Sequence, residues 1–356
     1  MARSAQSFTA LTIAQIDRLC DDAVAVAFDV PDELVGEYAF RPGQSLTVRR
    51  MVDGVDERRS YSICAPAGTR PRIGVREVAG GHVSGWLVRE VRVGDPVEVL
   101  PPAGLFTADV AAAARHVLIA AGSGITPMMS IAASVLAANA ESTVTLIYGN
   151  RRTDTVMFAD ELADLKDRYP ARFELVHVLS REPRESDVLS GRLDTDRLDT
   201  LLDALIPVEA VDHWWLCGPF GLVEAARELL LGRGVESRRI HRELFYVEDT
   251  APPPAEHKDA APTGPIAEVT LVLDGRATTL SLARDVPILD AAQHVRNDLP
   301  FACKGGVCGT CRAKVTVGEV RMRRNFALEQ DELDDGFVLT CQALPVTDEV
   351  SVDYDA

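Results

Sequence analysis

Basic residues are scarce in this chain of 356 residues: 37 lysines and arginines stand against 54 aspartates and glutamates, a formal net charge of −17. A surface of that sign repels nucleic acid and anionic lipid, so neither is expected as a partner, and a protein with a basic face suits it better. The N-terminus, MARSAQSFTALTIAQI, lacks an apolar stretch of signal-peptide type. An unbroken membrane-spanning run is lacking too. Val117 to Ala140 carries no charge, yet Gly122, Ser123, Gly124, Thr126 and Pro127 interrupt it, so a buried strand, a turn and a partly buried helix are expected there. Internal repeats are absent. The cysteines are odd in number and scattered at 20, 64, 217, 303, 308, 311 and 341, which favours a reducing, cytoplasmic setting over a disulfide framework.

What is present divides the chain. The segment APPPAEHKDAAPTGP is rich in proline and poor in core formers, and marks residues 249–265 as a semi-extended linker. Ahead of it, residues 8–110 hold short strands broken by Pro and Gly (SLTVRRM, RSYSICA, PRIGVREV, DPVEVLPPAG), the pattern of a small antiparallel β-barrel. Residues 114–248 alternate instead. HVLIAAG, VTLIYGN, FELVHVLS, DHWWLCG and RIHRELF read as strands. PMMSIAASVLAA, MFADELADLKDRY and GLVEAARELLLGRG read as helices, which predicts a parallel sheet wrapped by crossovers. Residues 266–356 form the last domain.

The tail carries the sharpest chemical signal. CKGGVCGTC sets Cys303, Cys308 and Cys311 in a C-x4-C-x2-C run, and Cys341 follows in VLTCQ. This is the ligand spacing of a plant-type 2Fe-2S cluster. Three thiolates on one loop wrap a small rhomb, glycines 305, 306 and 309 permit the tight turn and aim N–H groups at sulfur, and the fourth thiolate closes the cage. Zinc is the alternative, but structural zinc favours two short cysteine pairs, and only one C-x2-C is present.

Four further segments carry ligand chemistry. Along Arg59-Ser60-Tyr61-Ser62, strand alternation turns Arg59 and Tyr61 to one side and Ser60 and Ser62 to the other. A guanidinium grips a pyrophosphate and a phenol ring lies flat on an isoalloxazine, although a structural tyrosine is the commoner case. Gly80-Gly81-His82-Val83-Ser84 precedes an apolar run, where glycine amides and a serine hydroxyl can hold phosphate, with His82 read as a solvated loop residue. In Gly122-Ser123-Gly124-Ile125-Thr126-Pro127, a strand meets a helix, Thr126 reads as the cap and Pro127 as the first helical residue. Cys217-Gly218-Pro219 ends the fourth strand of the parallel sheet, at the edge where ligands bind. Trp214 and Trp215 read as core.

Taken in order, RSYS, GGHVS, AAGSGITP, YGNRR, LSREP, LCGP and HRELF resemble the ferredoxin–NADP reductase superfamily, and the tail resembles a plant-type ferredoxin. Their fusion resembles the reductase components of bacterial oxygenases. The resemblance implies a multidomain protein: an antiparallel β-barrel for FAD, an α/β parallel-sheet nucleotide domain and a β-grasp α+β ferredoxin domain. It implies FAD contacts from Arg59, Ser60, Tyr61, Ser62, Gly81, Val83, Ser84, Thr126 and Phe245. Arg59, Gly81 and Ser84 would hold the pyrophosphate, Tyr61 and Phe245 would cover the flavin faces, and Ser62 would approach N5. Gly122, Gly124, Thr126, Cys217, Gly218 and Pro219 would meet the nicotinamide dinucleotide. Ser62, Cys217 and Glu243 would act where the electrons transfer. Arg151, Ser180, Arg181 and Arg192 match the superfamily's 2′-phosphate contacts and favour NADPH over NADH, the alternative being ordinary surface arginines.

The implied reaction passes electrons from NADPH to FAD, then singly to the cluster and an external oxygenase. The resemblance implies a diiron oxygenase acting on phenylacetyl-CoA as the acceptor, and because the chain has no Glu-x-x-His helical pattern, that substrate is expected to bind elsewhere. A steroid or aromatic-ring oxygenase is the second possibility. A non-catalytic iron–sulfur scaffold with a degenerate flavin module is the third. The acidic run Glu329, Asp331, Glu332, Asp334 and Asp335 either steers docking or is a solvated loop.

Overall fold

The computed structural model describes residues 7–245, 265–296 and 298–356, so the proline-rich segment lies outside the described residues except for Pro265. Two compact units result: a larger one over residues 9–56 and 61–245, and a smaller one over 265–356 that also takes in residues 7–8 and 57–60.

The larger unit begins with a six-stranded antiparallel sheet. Its strands are β1 (Thr9–Cys20), β2 (Ala23–Asp29), β3 (Ser45–Val52), β4 (Val55–Ser62), β5 (Arg72–Arg76) and β6 (Pro96–Val99), in the order β4-β3-β6-β1-β2-β5. Helix α1 (His82–Arg89) covers it between β5 and β6. Leu11, Ile13, Val24, Val26, Phe28, Leu46, Val48 and Ile73 fill its core. Each side chain of that size contributes roughly 2 kcal/mol when fully buried. Asp53 and Gly54, at φ 50° and 82°, make the two-residue β3–β4 hairpin turn that an Asp-Gly pair favours.

Strands β1 and β2 add to the four strand segments that the sequence pattern announces. Register shifts between Ile13 and Gln15, and again between Arg18 and Cys20, break the period-2 alternation of β1. The run from Ala23 to Phe28 is buried on both faces and does not alternate either.

The second sheet of this unit is wholly parallel: β7 (Arg115–Ala121), β8 (Thr143–Asn150), β9 (Phe173–Leu179), β10 (His213–Gly218) and β11 (Ile240–Leu244). Helices α2 (Ile125–Ala138), α3 (Ala159–Arg168), α4 (Thr195–Leu205) and α5 (Phe220–Gly232) make the crossovers. The order β11-β10-β7-β8-β9 places a topological switch between β7 and β10. A ligand crevice opens outside the carboxyl ends of the strands at such a point. Trp214 and Trp215 are buried core residues, as expected. Helix α4 is an addition to the three expected helices. Asp194 caps it by accepting from the Arg197 amide, and Leu198, Leu201 and Leu202 supply its buried face. Arg72 ties the antiparallel sheet to helix α3, reaching Asp17 on β1 and Glu161 on α3, each at 2.9 Å.

The smaller unit is a mixed five-stranded sheet in the order β13-β12-β18-β14-β16. Its strands are β12 (Ile266–Leu273), β13 (Arg276–Ala283), β14 (Arg312–Val317), β16 (Phe337–Leu339) and β18 (Glu349–Asp353). A small ladder pairs β15 (Val320–Met322) with β17 (Ala343–Pro345). Strand β12 pairs antiparallel with β13 and parallel with β18, and α6 (Ile288–Ala292) packs its buried Ile288, Leu289 and Ala292 into the core, a β-grasp arrangement. Helix α7 (Gln330–Asp334) lies just before β16. Among the described residues, no helix is long and apolar enough to cross a membrane.

Candidate functional site

Strand β4 carries the first group of expected ligands. Arg59 is half-buried, sits 3.5 Å from Glu57 and donates to Arg58 O at 2.7 Å, Tyr61 is half-buried against the barrel core, and Ser62 is buried. The loop before α1 is tight. A Cβ on Gly81 would come within 2.6 Å of Ser84 Oγ and 3.1 Å of Val78 O, so a larger residue would displace the Ser84 hydroxyl. Ser84 departs from expectation. Its hydroxyl accepts from the Val78 amide at 3.1 Å and donates to Gly81 O at 3.3 Å, so it braces the loop. Val83 buries its side chain in the barrel core, leaving only its backbone for a ligand. His82 begins α1 and is exposed, a helical residue rather than a loop one. Guanidinium, phenol and helix-start amides together make a donor set that fits a flavin dinucleotide.

The glycine loop after β7 differs from the expected cap. A short 3-10 turn over Gly122–Gly124 leads into α2, so Thr126 falls inside the helix and is not its cap. Its hydroxyl donates back to Ser123 O at 3.0 Å. Pro127 is tolerated three residues into the helix because first-turn amides have no intrahelical acceptor to lose. Gly124 is required by proximity: a Cβ there would lie 2.2 Å from Cys217 O. Gly122 is required by conformation, with φ of 55°, and its carbonyl accepts from Tyr148 Oη at 3.0 Å. The Gly122 loop and the Cys217-Gly218 strand end thus line the switch-point crevice, and Pro219 opens α5 beside them.

Beyond the ends of β8 and β9 the strands stay paired. Ser180 N donates to Asn150 O and Arg181 N to Arg151 O, both at 2.8 Å. Gly191 N donates to Leu179 O at 2.8 Å, which brings Arg192 to the same edge. The side chains of Arg151, Arg181 and Arg192 are exposed, and among the described residues none has a hydrogen bond or an ion pair. Three unengaged guanidiniums at one sheet edge suit a phosphate monoester.

Ser62, Glu243 and Cys217 do come together. Cys217 and Glu243 are register partners on β10 and β11, and Ser62 Oγ donates to Glu243 Oε2 at 3.1 Å. Burial pushes the Glu243 carboxyl up to about 8, against the opposing effect of the Ser62 hydrogen bond. Burial, and secondarily the Glu243 charge, push the Cys217 thiol well up, so it stays protonated. Phe245, one residue past β11, is exposed. Of the other cysteines, Cys64 is buried, whereas Cys20 is a polar participant, accepting from Arg76 at 3.3 Å and donating to Asp22 at 3.2 Å.

Among the described residues no three His, Cys, Asp or Glu side chains are gathered closely enough to hold a metal ion, but in the smaller unit Cys303 lies next to Cys308 and Cys311 next to Cys341. Pairing of that kind matches two thiolates to each of two irons, rather than four around one tetrahedral ion. The amides of Gly305 and Cys308 donate to Cys303 Sγ at 3.3 and 3.4 Å. The Cys308 thiol, with these amides, lowers the Cys303 pKa despite its burial. Lys304, Gly306 and Gly309 all have left-handed backbones, at φ 52°, 78° and 67°. The loop turns at Gly306 and Gly309 as the glycine spacing anticipated, but at Lys304 instead of Gly305, and the thiolate donors suit a binuclear cluster. The acidic run is not uniform. Glu332 accepts from Arg312 Nε at 2.9 Å and from its own helix's Glu329 amide at 3.2 Å, so it is a structural residue.

The oxidoreductase NAD-binding domain family matches residues 118–228, and the 2Fe-2S iron-sulfur cluster binding domain family matches residues 271–346. The chain is 42% identical over 354 residues, 98% of its length and 98% of the relative's, to a subunit of 1,2-phenylacetyl-CoA epoxidase from Escherichia coli K12. It is 33% identical over 355 residues to the ferredoxin reductase component of 3-ketosteroid-9-alpha-monooxygenase from Rhodococcus rhodochrous, spanning 97% of this chain and 96% of that one. Among solved structures, phthalate dioxygenase reductase shares the fold with a TM-score of 0.60 at 24% identity, covering 97% of this chain and 98% of its own.

Proposed function

The chain belongs to the family of oxygenase reductase components that join a flavin- and pyridine-nucleotide-binding reductase to a C-terminal 2Fe-2S domain, and on that premise we propose that it carries electrons from NADPH to a diiron oxygenase acting on phenylacetyl-CoA. The observation that carries this reading is the identity along nearly the whole chain, higher to the phenylacetyl-CoA epoxidase relative than to the ketosteroid reductase. Residues 8–110 are assigned to FAD, 114–248 to the nucleotide and 266–356 to the cluster.

When bound, FAD exchanges electrons in pairs with the nucleotide and singly with the cluster. The protein's part is placement and electrostatics. Arg59, Ser60, Tyr61 and the backbone of Gly81, Val83 and Ser84 hold the flavin dinucleotide. Gly122, Gly124 and Thr126 would let the nicotinamide end approach Cys217, Gly218 and Pro219, and Phe245 would offer an aromatic ring to the flavin. Glu243 keeps a proton within reach at neutral pH, with its Oε2 accepting from Ser62. Cys217 stays an uncharged thiol, so no anion competes with the nucleotide there. Arg151, Ser180, Arg181 and Arg192 recognise the 2′-phosphate, which favours NADPH over NADH.

Two measurements test this. The kcat/KM ratio for NADPH against NADH decides the reductant, and a preference for NADH would sink the arginine assignment. Reconstitution with the epoxidase's oxygenase component and, separately, with a ketosteroid hydroxylase decides the acceptor. Substrate-dependent NADPH consumption with only the latter would overturn the phenylacetyl-CoA reading.

A further inference from the structure

Gln342 directly follows the fourth thiolate, Cys341, and is 8% exposed. Its backbone is fixed on both sides: Gln342 N donates to Leu339 O at 2.8 Å, and Arg323 N donates to Gln342 O at 3.0 Å. The side-chain amide has two N–H groups and two acceptors within reach. Nε2 lies 2.8 Å from Lys304 O and 3.7 Å from Cys341 Sγ. Lys304 has a left-handed backbone at φ 52°, a conformation that costs a non-glycine residue about 1 kcal/mol and needs support. Gly306 closes the arrangement. A Cβ there would press on Gln342 Cγ at 3.1 Å and on Arg324 O at 3.2 Å, so the loop lies directly against this side chain.

We propose that Gln342 is a positioning residue that raises the reduction potential of the cluster, by donating one N–H to the Cys341 sulfur while the other N–H pins the Lys304 turn. The physical reason is a difference between oxidation states. Reduction adds negative charge that spreads onto the sulfurs, so an N–H aimed at sulfur stabilises the reduced cluster more than the oxidised one. The Lys304 bond fixes the amide plane, which keeps the second N–H on the sulfur rather than free to rotate. This inference rests on the chain carrying a 2Fe-2S cluster.

The experiment compares full-length wild type, Gln342→Met and Gln342→Glu by iron and sulfide content, by redox titration of the visible absorption, and by the EPR spectrum of the reduced cluster. Methionine keeps length and volume but removes both donors. Glutamate keeps shape and presents oxygens where donors were. Both variants are expected to retain the cluster and to titrate at more negative potential, Glu further than Met. For Met, the reduced-to-oxidised ratio at a fixed poise should fall roughly three- to tenfold, about 30–60 mV for one electron. A cluster-loaded variant with the wild-type potential would overturn the proposal. So would loss of the cluster from both variants, which would make Gln342 a loop anchor only. If one variant alone keeps its cluster, that variant's potential decides. Wild type without iron and sulfide would instead overturn the 2Fe-2S reading beneath it.

Discussion

Ser62 on the last strand of the β3–β4 hairpin and Glu243 on the outermost parallel strand are joined by one hydrogen bond of 3.1 Å, so the antiparallel and parallel sheets of the larger unit meet at a carboxyl group. That carboxyl titrates at about 8 instead of its ordinary 4.5. An acid whose folded value is raised binds its proton more tightly when folded. The associated stability is present in full below 4.5 and is lost as pH rises toward 8. Glu243→Gln cannot ionise. Melting temperatures taken from about pH 5 to 8 should therefore fall less steeply for this variant than for wild type, and parallel slopes would show that Glu243 titrates as an ordinary carboxyl.

Gly124→Ala tests the crevice. The added methyl meets Cys217 O at 2.2 Å, backbone against backbone, where neither side can swing away. Overpacking of this kind typically costs about 1–3 kcal/mol. The nucleotide KM should rise about tenfold or more while flavin content per chain stays at the wild-type level.

The proposed role of the arginine edge is tested by comparing the two reductants. Arg181→Ala and Arg192→Ala each remove a charge-assisted partner worth about 1.5–3 kcal/mol. KM for NADPH should increase by roughly ten- to a hundredfold, with KM for NADH nearly unmoved. Equal effects on both would mean that these side chains bind something common to the two nucleotides.

Cys341→Ser removes one of the two thiolates of its pair. The absorption bands of the cluster should disappear, while NADPH still bleaches the flavin at close to the wild-type rate and electrons no longer reach an oxygenase. Loss of flavin reduction as well would show that the two cofactors are not served by separate parts of the fold.

The acidic run should divide by function. Asp334→Lys and Asp335→Lys should weaken oxygenase reduction at low salt by several-fold and lessen its salt dependence, with melting unchanged. Glu332→Lys should lower the melting temperature instead, because Arg312 and the Glu329 amide lose their acceptor.

How far the sequence reached depended on spacing. Cys303, Cys308, Cys311 and Cys341 could be read directly, because cluster ligation leaves a fixed interval in the chain. The βα alternation from Arg115 to Leu244 was legible for the same reason, since strands buried on both faces give continuous apolar runs. Strand β1 was not, because its bulges spoil the alternation that would have shown it, although the Asp53-Gly54 pair does signal the hairpin turn beside it. The engaged hydroxyl of Ser84, the helical place of Thr126 and the structural duty of Glu332 depend on where a side chain turns, which residue type alone does not say. Gln342 shows the same limit from the other side. Nothing in the letter Q after a cysteine announces that its amide reaches back to Lys304.

The arginines beside the ends of β8 and β9 have a consequence for descent. Arg151, Arg181 and Arg192 hold nothing else in place among the described residues, so replacing them leaves the fold as stable as before. If these arginines recognise the 2′-phosphate as proposed, choice of reductant is decoupled from folding, and a lineage carrying this scaffold could drift between the anabolic and catabolic nicotinamide pools through a few surface changes. The carboxyl ends of the central strands allow no such drift, because Gly124 and Cys217 are locked backbone to backbone.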